Sequence, residues 1–471
     1  MLDRPLVTAA NRLPVRRTPQ GWRPAAGGLV TAMQPVMVQV EGAWVGWDGG
    51  DSDVPDRVEG FDIDLAPLSL SRAQLQGYYH GFANRTVWPL FHDLVEQPVF
   101  DRGWWEAYAE VNHAFAAATA RTAYHDDAPL LWVHDYHLML LPGLLREQGP
   151  AGPIAYFLHI PFPAPELFAR LPWREDLLDG LLGADVVSFH TEPYRRNFLG
   201  AVERLHPDRE VSDGGVVHMP DGRTVHTAAH PISIDAKSFA ELATSDEAER
   251  ELARLREQFA GRRVLLGVDR LDYTKGIHER FQAIELLLEQ RPDLRGEVAF
   301  VQIAVPSRGG VREYRELRRD VEREVGRING RFTEPGGEVP VYYLHRGVPR
   351  EHLVAYYRLA DVALVTPVKD GMNLIAKEYV VCQAAGGGTG ALVLSEFTGA
   401  HIELREATAC NPFDVQGLAN RITDALEMDE VERRARLEKM AATVHSNDIY
   451  RWVERELGSV KQAVASPAHG G

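Results

Sequence analysis

Cysteine is nearly absent. Cys382 and Cys410 are the only two, too few for a disulfide framework and wrongly spaced for a zinc site. Both read as small core residues rather than nucleophiles. Positive charge is also scarce: 51 Lys and Arg face 67 Asp and Glu, a net charge of −16. Nucleic acid and anionic membrane are therefore not expected as partners of the surface as a whole. No apolar run is long enough to span a bilayer. The opening Met1-Leu-Asp-Arg-Pro lacks the basic and apolar regions of a secretory leader, so a cytoplasmic protein is expected. There is no G-x-G-x-x-G, no P-loop and no Ser-His-Asp set.

What is present is an ordinary globular composition, 45% hydrophobic and 25% charged over 471 residues, long enough for two large α/β domains. Short apolar strands alternate with helical stretches. In the first half, strands are expected at Leu6–Ala10, Ala43–Trp47, Leu130–Val133, Ile154–Leu158 and Asp185–Phe189. Residues 29–40 read as a helix, 211–227 as a small hairpin, and His230–Asp235 as an interdomain crossover. A capping box at Thr244-Ser-Asp-Glu247 opens a charged helix to Phe259. The alternation then restarts, with strands at Arg263–Val268, Val298–Ile303, Val339–Leu344, Asp361–Thr366 and Ala391–Leu394. Amphipathic helices are expected over 311–328 and 449–464, with residues 466–471 frayed. Two consecutive β/α halves imply an α/β fold of parallel sheets. Two Rossmann-like domains facing across a cleft are expected over residues 1–234 and 235–448, with residues 449–471 as a C-terminal helix.

Thr366-Pro-Val-Lys-Asp-Gly-Met-Asn-Leu-Ile-Ala-Lys-Glu378 organises the second half. A buried strand passes through a polar turn with one glycine into a run of helix formers. The first amides of such a helix are a ready anion site, and Glu378 could reach hydroxyls beside it. The plainer alternative is an ordinary strand-to-helix turn with a solvated glutamate. Gly27-Gly28 after the first strand has the general plan of a phosphate cradle. The aromatic segment from Gly77 to His92, including Tyr79 and Trp88, shows neither helical nor alternating period; it reads as loop, either plugging the core or lining a sugar site. His134, Asp135, His137 and His159 follow strand ends, but they lack the i,i+4 helical spacing of the familiar zinc motif, and no metal is expected.

Ligands of open α/β sheets bind beyond the carboxyl ends of the strands. That rule gathers Arg12, Asp135 and His159 from the first half with Arg270, Lys275, Arg308 and the Asp370–Glu378 segment from the second. Each charge-assisted contact to a phosphate contributes roughly 1.5–3 kcal/mol. Several together imply a substrate with more than one phosphate, or two phosphorylated substrates. A nucleoside diphosphate as leaving group, with transfer of the group it carries, fits this set.

Asn11-Arg12, Gly27-Gly28, Tyr79 to Trp88-Pro, His134-Asp-Tyr-His137, His159-Ile-Pro-Phe-Pro163, Arg270-Leu-Asp-Tyr-Thr-Lys275-Gly, Ser307-Arg308-Gly and Asp370-Gly-Met-Asn-Leu-Ile-Ala-Lys-Glu378 resemble the trehalose-6-phosphate synthase family. Its members are retaining glycosyltransferases of the two-domain GT-B fold. The resemblance implies transfer of glucose from a nucleoside diphosphate glucose (UDP- or GDP-glucose) to O1 of glucose 6-phosphate. It implies that Arg270 and Lys275 hold the donor diphosphate, assisted near Gly371, Met372, Asn373 and Leu374 and by Gly28. Glu378 would take the ribose, while Asp370 and His159 hold the donor glucose. Arg12, Tyr79, Trp88 and Arg308 would bind the acceptor and its phosphate, Asp135 its hydroxyls, and Trp47 would belong to the same site. The nucleoside diphosphate glucose is a substrate rather than a cofactor.

A C-terminal helix crossing back to the first domain is likewise implied. Ala10 and His230-Pro-Ile-Ser depart modestly from the family pattern, and His345-Arg-Gly-Val-Pro349 leaves the donor base open. A sister transferase using glycerol 3-phosphate, or a silent sugar-phosphate sensor, are the alternatives. No phosphatase-like Asp-x-Asp-x-Thr segment follows, so the product is expected to leave phosphorylated. A homo-oligomer is compatible with the sequence.

Overall fold

The computed structural model describes residues 5–18, 21–25, 30, 33, 37, 42–50, 53–58, 63–123, 128–149 and 152–465. Gly27-Gly28, most of the expected 29–40 helix and the 466–471 tail lie outside the described residues. The chain forms two compact units, residues 1–232 with 449–471, and residues 233–448.

The first unit carries β1 (Leu6–Arg12), a small hairpin of β2 (Val15–Thr18) and β3 (Gly21–Pro24), β4 (Gly42–Trp47), β5 (Asp64–Leu68) and β6 (Leu130–His134). These are followed by β7 (Ile154–Phe157), β8 (Val186–Phe189), β9 (Glu210–Val211), β10 (Val216–His218) and β11 (Thr224–Ala229). Nine of them form one sheet in the order β5-β4-β1-β6-β7-β8-β11-β10-β9. All pairings are parallel as far as β11, and β10 and β9 then run antiparallel at the edge. The expected hairpin is thus the edge of the main sheet. Strands such as β6 and β7 are buried throughout, which is why they read as continuous apolar runs rather than alternating ones.

The second unit has β12 (Arg263–Arg270), β13 (Val298–Val305), β14 (Val341–Leu344), β15 (Val362–Val365), β16 (Ala391–Ser395) and β17 (Thr408–Cys410). They form a fully parallel sheet in the order β14-β13-β12-β15-β16-β17. Helices from Ile277–Gln290, Arg312–Phe332 and Val415–Glu427 cover one apolar core, in which Phe281, Phe300, Ile328 and Ile422 are buried. Cys382 and Cys410 are both free and buried.

Two readings need correction. Residues 75–87 are helical with an i→i+5 pattern, running straight into an α-turn at Trp88–Phe91. The hydrophobic spacing of such a helix does not repeat at the α-helical period, so the segment looks aperiodic in sequence. Its glycines lie against the helix Arg102–Thr122: a Cβ on Gly77 would sit 2.5 Å from the Ala107 Cβ, and one on Gly81 2.6 Å from the Trp104 ring. The charged helix of the second unit is capped by Ser245, whose side chain accepts from the Ala248 amide, rather than by Thr244.

The helix Ile449–Ala465 belongs to the first unit. Trp452 stacks on Trp132 at 5.3 Å, and its ring nitrogen donates to the His230 carbonyl at 3.2 Å. Glu456, on the same face, is 1% exposed. The His230 Nε2 lies 3.9 Å from its carboxylate, beyond hydrogen-bond reach, and donates to or accepts from Ser459 Oγ instead at 3.0 Å. Burial, opposed by Ser188, pushes the Glu456 carboxyl up to about 8. Among the described residues no helix is long and apolar enough to cross a membrane.

A raised folded-state value means that Glu456 favours the folded state below its unfolded titration range and loses that contribution as pH rises towards 8. His230, lowered to about 4 by burial and then Arg455, is neutral through that window. Above the range in which unfolded histidines titrate, melting temperature should therefore fall from about pH 7 to about pH 8 in the native chain. Glu456→Gln should flatten the slope in differential scanning calorimetry, and an unchanged slope would contradict this account.

Candidate active site

In the second unit the sheet order reverses between β12 and β15, and ligands of such sheets gather beyond the strand ends at that point. The exposed Arg270 closes β12. A single 3-10 turn, Tyr273–Lys275, follows and ends on Gly276, whose φ is 62°. A Cβ at Gly276 would lie 2.0 Å from the Thr366 carbonyl oxygen, so only glycine lets this turn press on the end of β15. Lys275, 8% exposed, thereby meets Asp370: Nζ to Oδ2 is 2.5 Å.

Asp370 also accepts from Asn373 Nδ2 at 3.1 Å. Asn373 has φ 74°, a region unusual for a non-glycine residue, and its side-chain oxygen accepts from the Ala376 amide, capping the helix Leu374–Ala385. Gly371 and Met372 are buried in the turn, and the Met372 carbonyl accepts from the Ala400 amide and the Thr398 hydroxyl. The helix start at Leu374, with amides that lack intrahelical partners, sits directly beside the Lys275–Asp370 pair. One turn on, Glu378 accepts from the Tyr357 hydroxyl at 2.7 Å. Burial raises its carboxyl, with Tyr357 and Arg350 opposing. Lys377 is 1% exposed and pairs with Glu403 at 2.6 Å, which pins the helix from behind.

Arg308 leaves the end of β13 with φ 44°. Its Nη1 donates to Asp272 Oδ2 at 2.8 Å and to the Tyr314 hydroxyl. Although burial alone would raise it, Arg308, Arg270 and Lys275 hold the fully buried Asp272 carboxyl at about 2. Arg308 thus pairs with Asp272 directly, while the charges of Arg270 and Lys275 act on the same carboxylate.

In the first unit the sheet order reverses at β1, which ends on Arg12. The guanidinium lies 4.6 Å from the Trp47 ring centre and 5.4 Å from that of Tyr79, a cation–π pairing on two sides. Tyr79 stacks on His137 at 5.7 Å, and the buried Asn84 fixes it by donating to the Tyr79 carbonyl at 2.7 Å while accepting from Tyr136. Trp88 is 4% exposed, packed between His92 and Tyr136. Asp135 has φ 74°; its carboxylate accepts from the His159 amide at 3.3 Å. The His159 ring Nε2 is 3.0 Å from His134 Nδ1. Burial, then His134 and His190, keep His159 well below the ordinary histidine value, so its ring is neutral at neutral pH.

Gly28 lies outside the described residues. Asp272, Tyr314, Tyr357, Lys377 and Asn84 support the site without having been singled out in the sequence. Asp272 sits inside the Arg270–Gly276 motif, so its neighbourhood was a signal; Tyr357 and Tyr314 carry none, because their partners are distant along the chain. Among the described residues no group of three or more His, Cys, Asp or Glu is arranged to hold a metal ion.

Two largely parallel Rossmann-like sheets with phosphate-suited strand ends suit a nucleotide-sugar transferase. The chain belongs to glycosyltransferase family 20, whose model matches residues 5–462. It is 44% identical over 470 residues to a trehalose-6-phosphate synthase of Mycobacterium sp. (strain KMS), covering 97% of this chain and 95% of the relative. A crystal structure of a UDP-forming α,α-trehalose-phosphate synthase from Burkholderia vietnamiensis matches with TM-score 0.89 and 38% identity, covering 98% of each chain. A Burkholderia xenovorans enzyme of the same kind, in complex with glucose-6-phosphate, matches with TM-score 0.89 and 35% identity over 97% of this chain and all (100%) of that one.

Gly276→Ala tests the packing argument. The left-handed backbone and the backbone oxygen 2.0 Å away should together cost about 2 kcal/mol or more in denaturant unfolding. A loss below about 0.5 kcal/mol, the scale of a neutral surface change, would contradict it.

Proposed function

We propose that this chain transfers glucose, with retention, from UDP-glucose to O1 of glucose 6-phosphate, giving α,α-trehalose 6-phosphate and UDP. Family membership and the similar UDP-forming and glucose-6-phosphate-bound enzymes support the reading. The observation that carries it is the cationic group of Arg270, Lys275 and Arg308 around Asp272, beside a helix start, in a protein of net charge −16.

In this reading Arg270 and Lys275 hold the donor diphosphate with the amides at Gly371, Met372 and Leu374, while Asn373 sets the turn and Gly28 contributes from the first unit. Glu378 takes the ribose hydroxyls through Oε1, since Tyr357 engages Oε2. Asp370 and the neutral His159 hold the glucose being moved. Arg12, Tyr79, Trp88 and Arg308 serve the acceptor and its phosphate, Asp135 its hydroxyls, and Trp47 backs Arg12. The acceptor O1 attacks the anomeric carbon from the face that UDP leaves. The bond from that carbon to the phosphate oxygen breaks as the new glycosidic bond forms, and the departing phosphate oxygen takes the O1 proton. Arg270, Lys275 and the helix start stabilise the charge that grows on the leaving diphosphate, an electrostatic contribution. No role is assigned to a metal ion.

Incubation with UDP-, GDP- and ADP-glucose against glucose 6-phosphate and glycerol 3-phosphate, followed by NMR of the product, tests this. UDP-glucose with glucose 6-phosphate should turn over fastest; no turnover in any pairing would favour a sugar-phosphate sensor. Arg270→Ala should lower kcat by about 100- to 1000-fold. Arg308→Ala should raise the KM for glucose 6-phosphate while leaving UDP affinity within about twofold, and equal losses for both would contradict the assignment.

A further inference from the structure

We infer that Asp272 is a positioning residue that couples the loop holding the donor diphosphate to the arginine holding the acceptor phosphate. The inference rests on the roles proposed above for Lys275 and Arg308. Its basis is the way the two carboxylate oxygens are divided. Oδ1 accepts from the Thr274 amide and the Thr274 hydroxyl, both at 3.0 Å. With the Lys275 amide donating to the Asp272 carbonyl at 3.1 Å, this fixes the 3-10 turn that delivers Lys275. Oδ2 faces the other way, accepting from Arg308 Nη1 at 2.8 Å and from the Tyr314 hydroxyl at 3.0 Å.

The two loops leave neighbouring parallel strands in register, Arg270 opposite Val305, and the Leu271 amide bonds the Val305 carbonyl at 2.8 Å. Tyr273 closes the gap by packing on Tyr314 at 5.3 Å. Asp272 therefore has four hydrogen-bond donors, two from Thr274, one from Arg308 and one from Tyr314 on the following helix, and no exposed surface. An ionised carboxylate so surrounded can neither move nor lose one side without leaving the Arg308 guanidinium or a neutral donor poorly paired. Arg308, on a backbone in the left-handed region, is oriented by the bond from its Nη1 to Asp272. Any shift of the turn under the diphosphate is passed to Arg308 through a single rigid group.

The test is a double-mutant cycle on the full chain, with KM and kcat for glucose 6-phosphate and calorimetric affinity for UDP. Asp272→Asn keeps the shape but places an amide where one oxygen accepted. It should raise the glucose 6-phosphate KM and weaken UDP binding, each about tenfold. In an Arg308→Ala background Asp272→Asn should add nothing further to the acceptor KM but still weaken UDP. Two milder variants separate the halves if Asp272→Asn does not fold: Tyr314→Phe should affect only the acceptor, whereas Thr274→Val should weaken UDP and also raise the acceptor KM. Additive effects on the acceptor KM, or a Thr274→Val chain that weakens UDP and leaves the acceptor KM unchanged, would overturn the coupling. Failure of the wider functional reading is seen separately, as a native chain that does not turn over UDP-glucose with glucose 6-phosphate.

Discussion

Behind the candidate site of the second unit lies a guanidinium with no exposed surface. Arg280 projects from the helix Ile277–Gln290 and donates to Asp269 at 2.6 Å, Gln302 at 2.7 Å, Thr366 at 3.0 Å and the Lys275 carbonyl at 3.3 Å. These four partners come from β12, β13, the end of β15 and the Lys275 turn. One planar fork thus sets the spacing of the strand ends from which the site is built. Gly267 belongs to the same arrangement, since a Cβ there would lie 2.5 Å from Arg280 and 2.3 Å from Gln302. A buried ion pair is weak evidence of net stability, but removing one partner typically costs about 3–5 kcal/mol. Its clearest effect is geometric.

Three of the six described non-glycine residues with positive φ lie at the candidate site. Asp135, Arg308 and Asn373 all have positive φ, and each is held by its own contacts: Asp135 by the His159 amide, Arg308 by Asp272 and Tyr314, Asn373 by Asp370 and Ala376. Such conformations cost of order 1–3 kcal/mol and persist where the surroundings over-determine them. The cations are treated in the same manner. Lys275 and Arg308 are buried with Asp370 and Asp272 rather than left in solvent, so they are aimed before any anion arrives.

Much of this was legible in the sequence because parallel sheets write themselves as short apolar runs, and their chemistry follows the carboxyl ends. Arg270, Lys275 and Asp370 could be placed beyond strand ends from sequence alone, and so could Arg12 and Asp135, while Glu378 could be placed on the helix that follows. The segment around Tyr79 could not, because an i→i+5 helix hides its buried face from a search at the α-helical period. Tyr357 and Tyr314 could not either: each reaches its carboxylate through the fold, 21 and 42 positions away along the chain. Ser245 took the cap from Thr244 because both residues can accept from a helix amide, and one position of difference is beneath what pattern alone separates.

The second unit is an insertion into the first, which is completed only by Ile449–Ala465. During synthesis Trp132 and Phe157 therefore emerge long before Trp452, the ring that covers both. Residues 233–448 can complete their own sheet while the earlier, larger sheet still waits with an uncovered aromatic face. Until Ile449–Ala465 is made, Trp132 and Phe157 lack their covering ring, and exposed apolar surface of that kind favours aggregation in nascent chains.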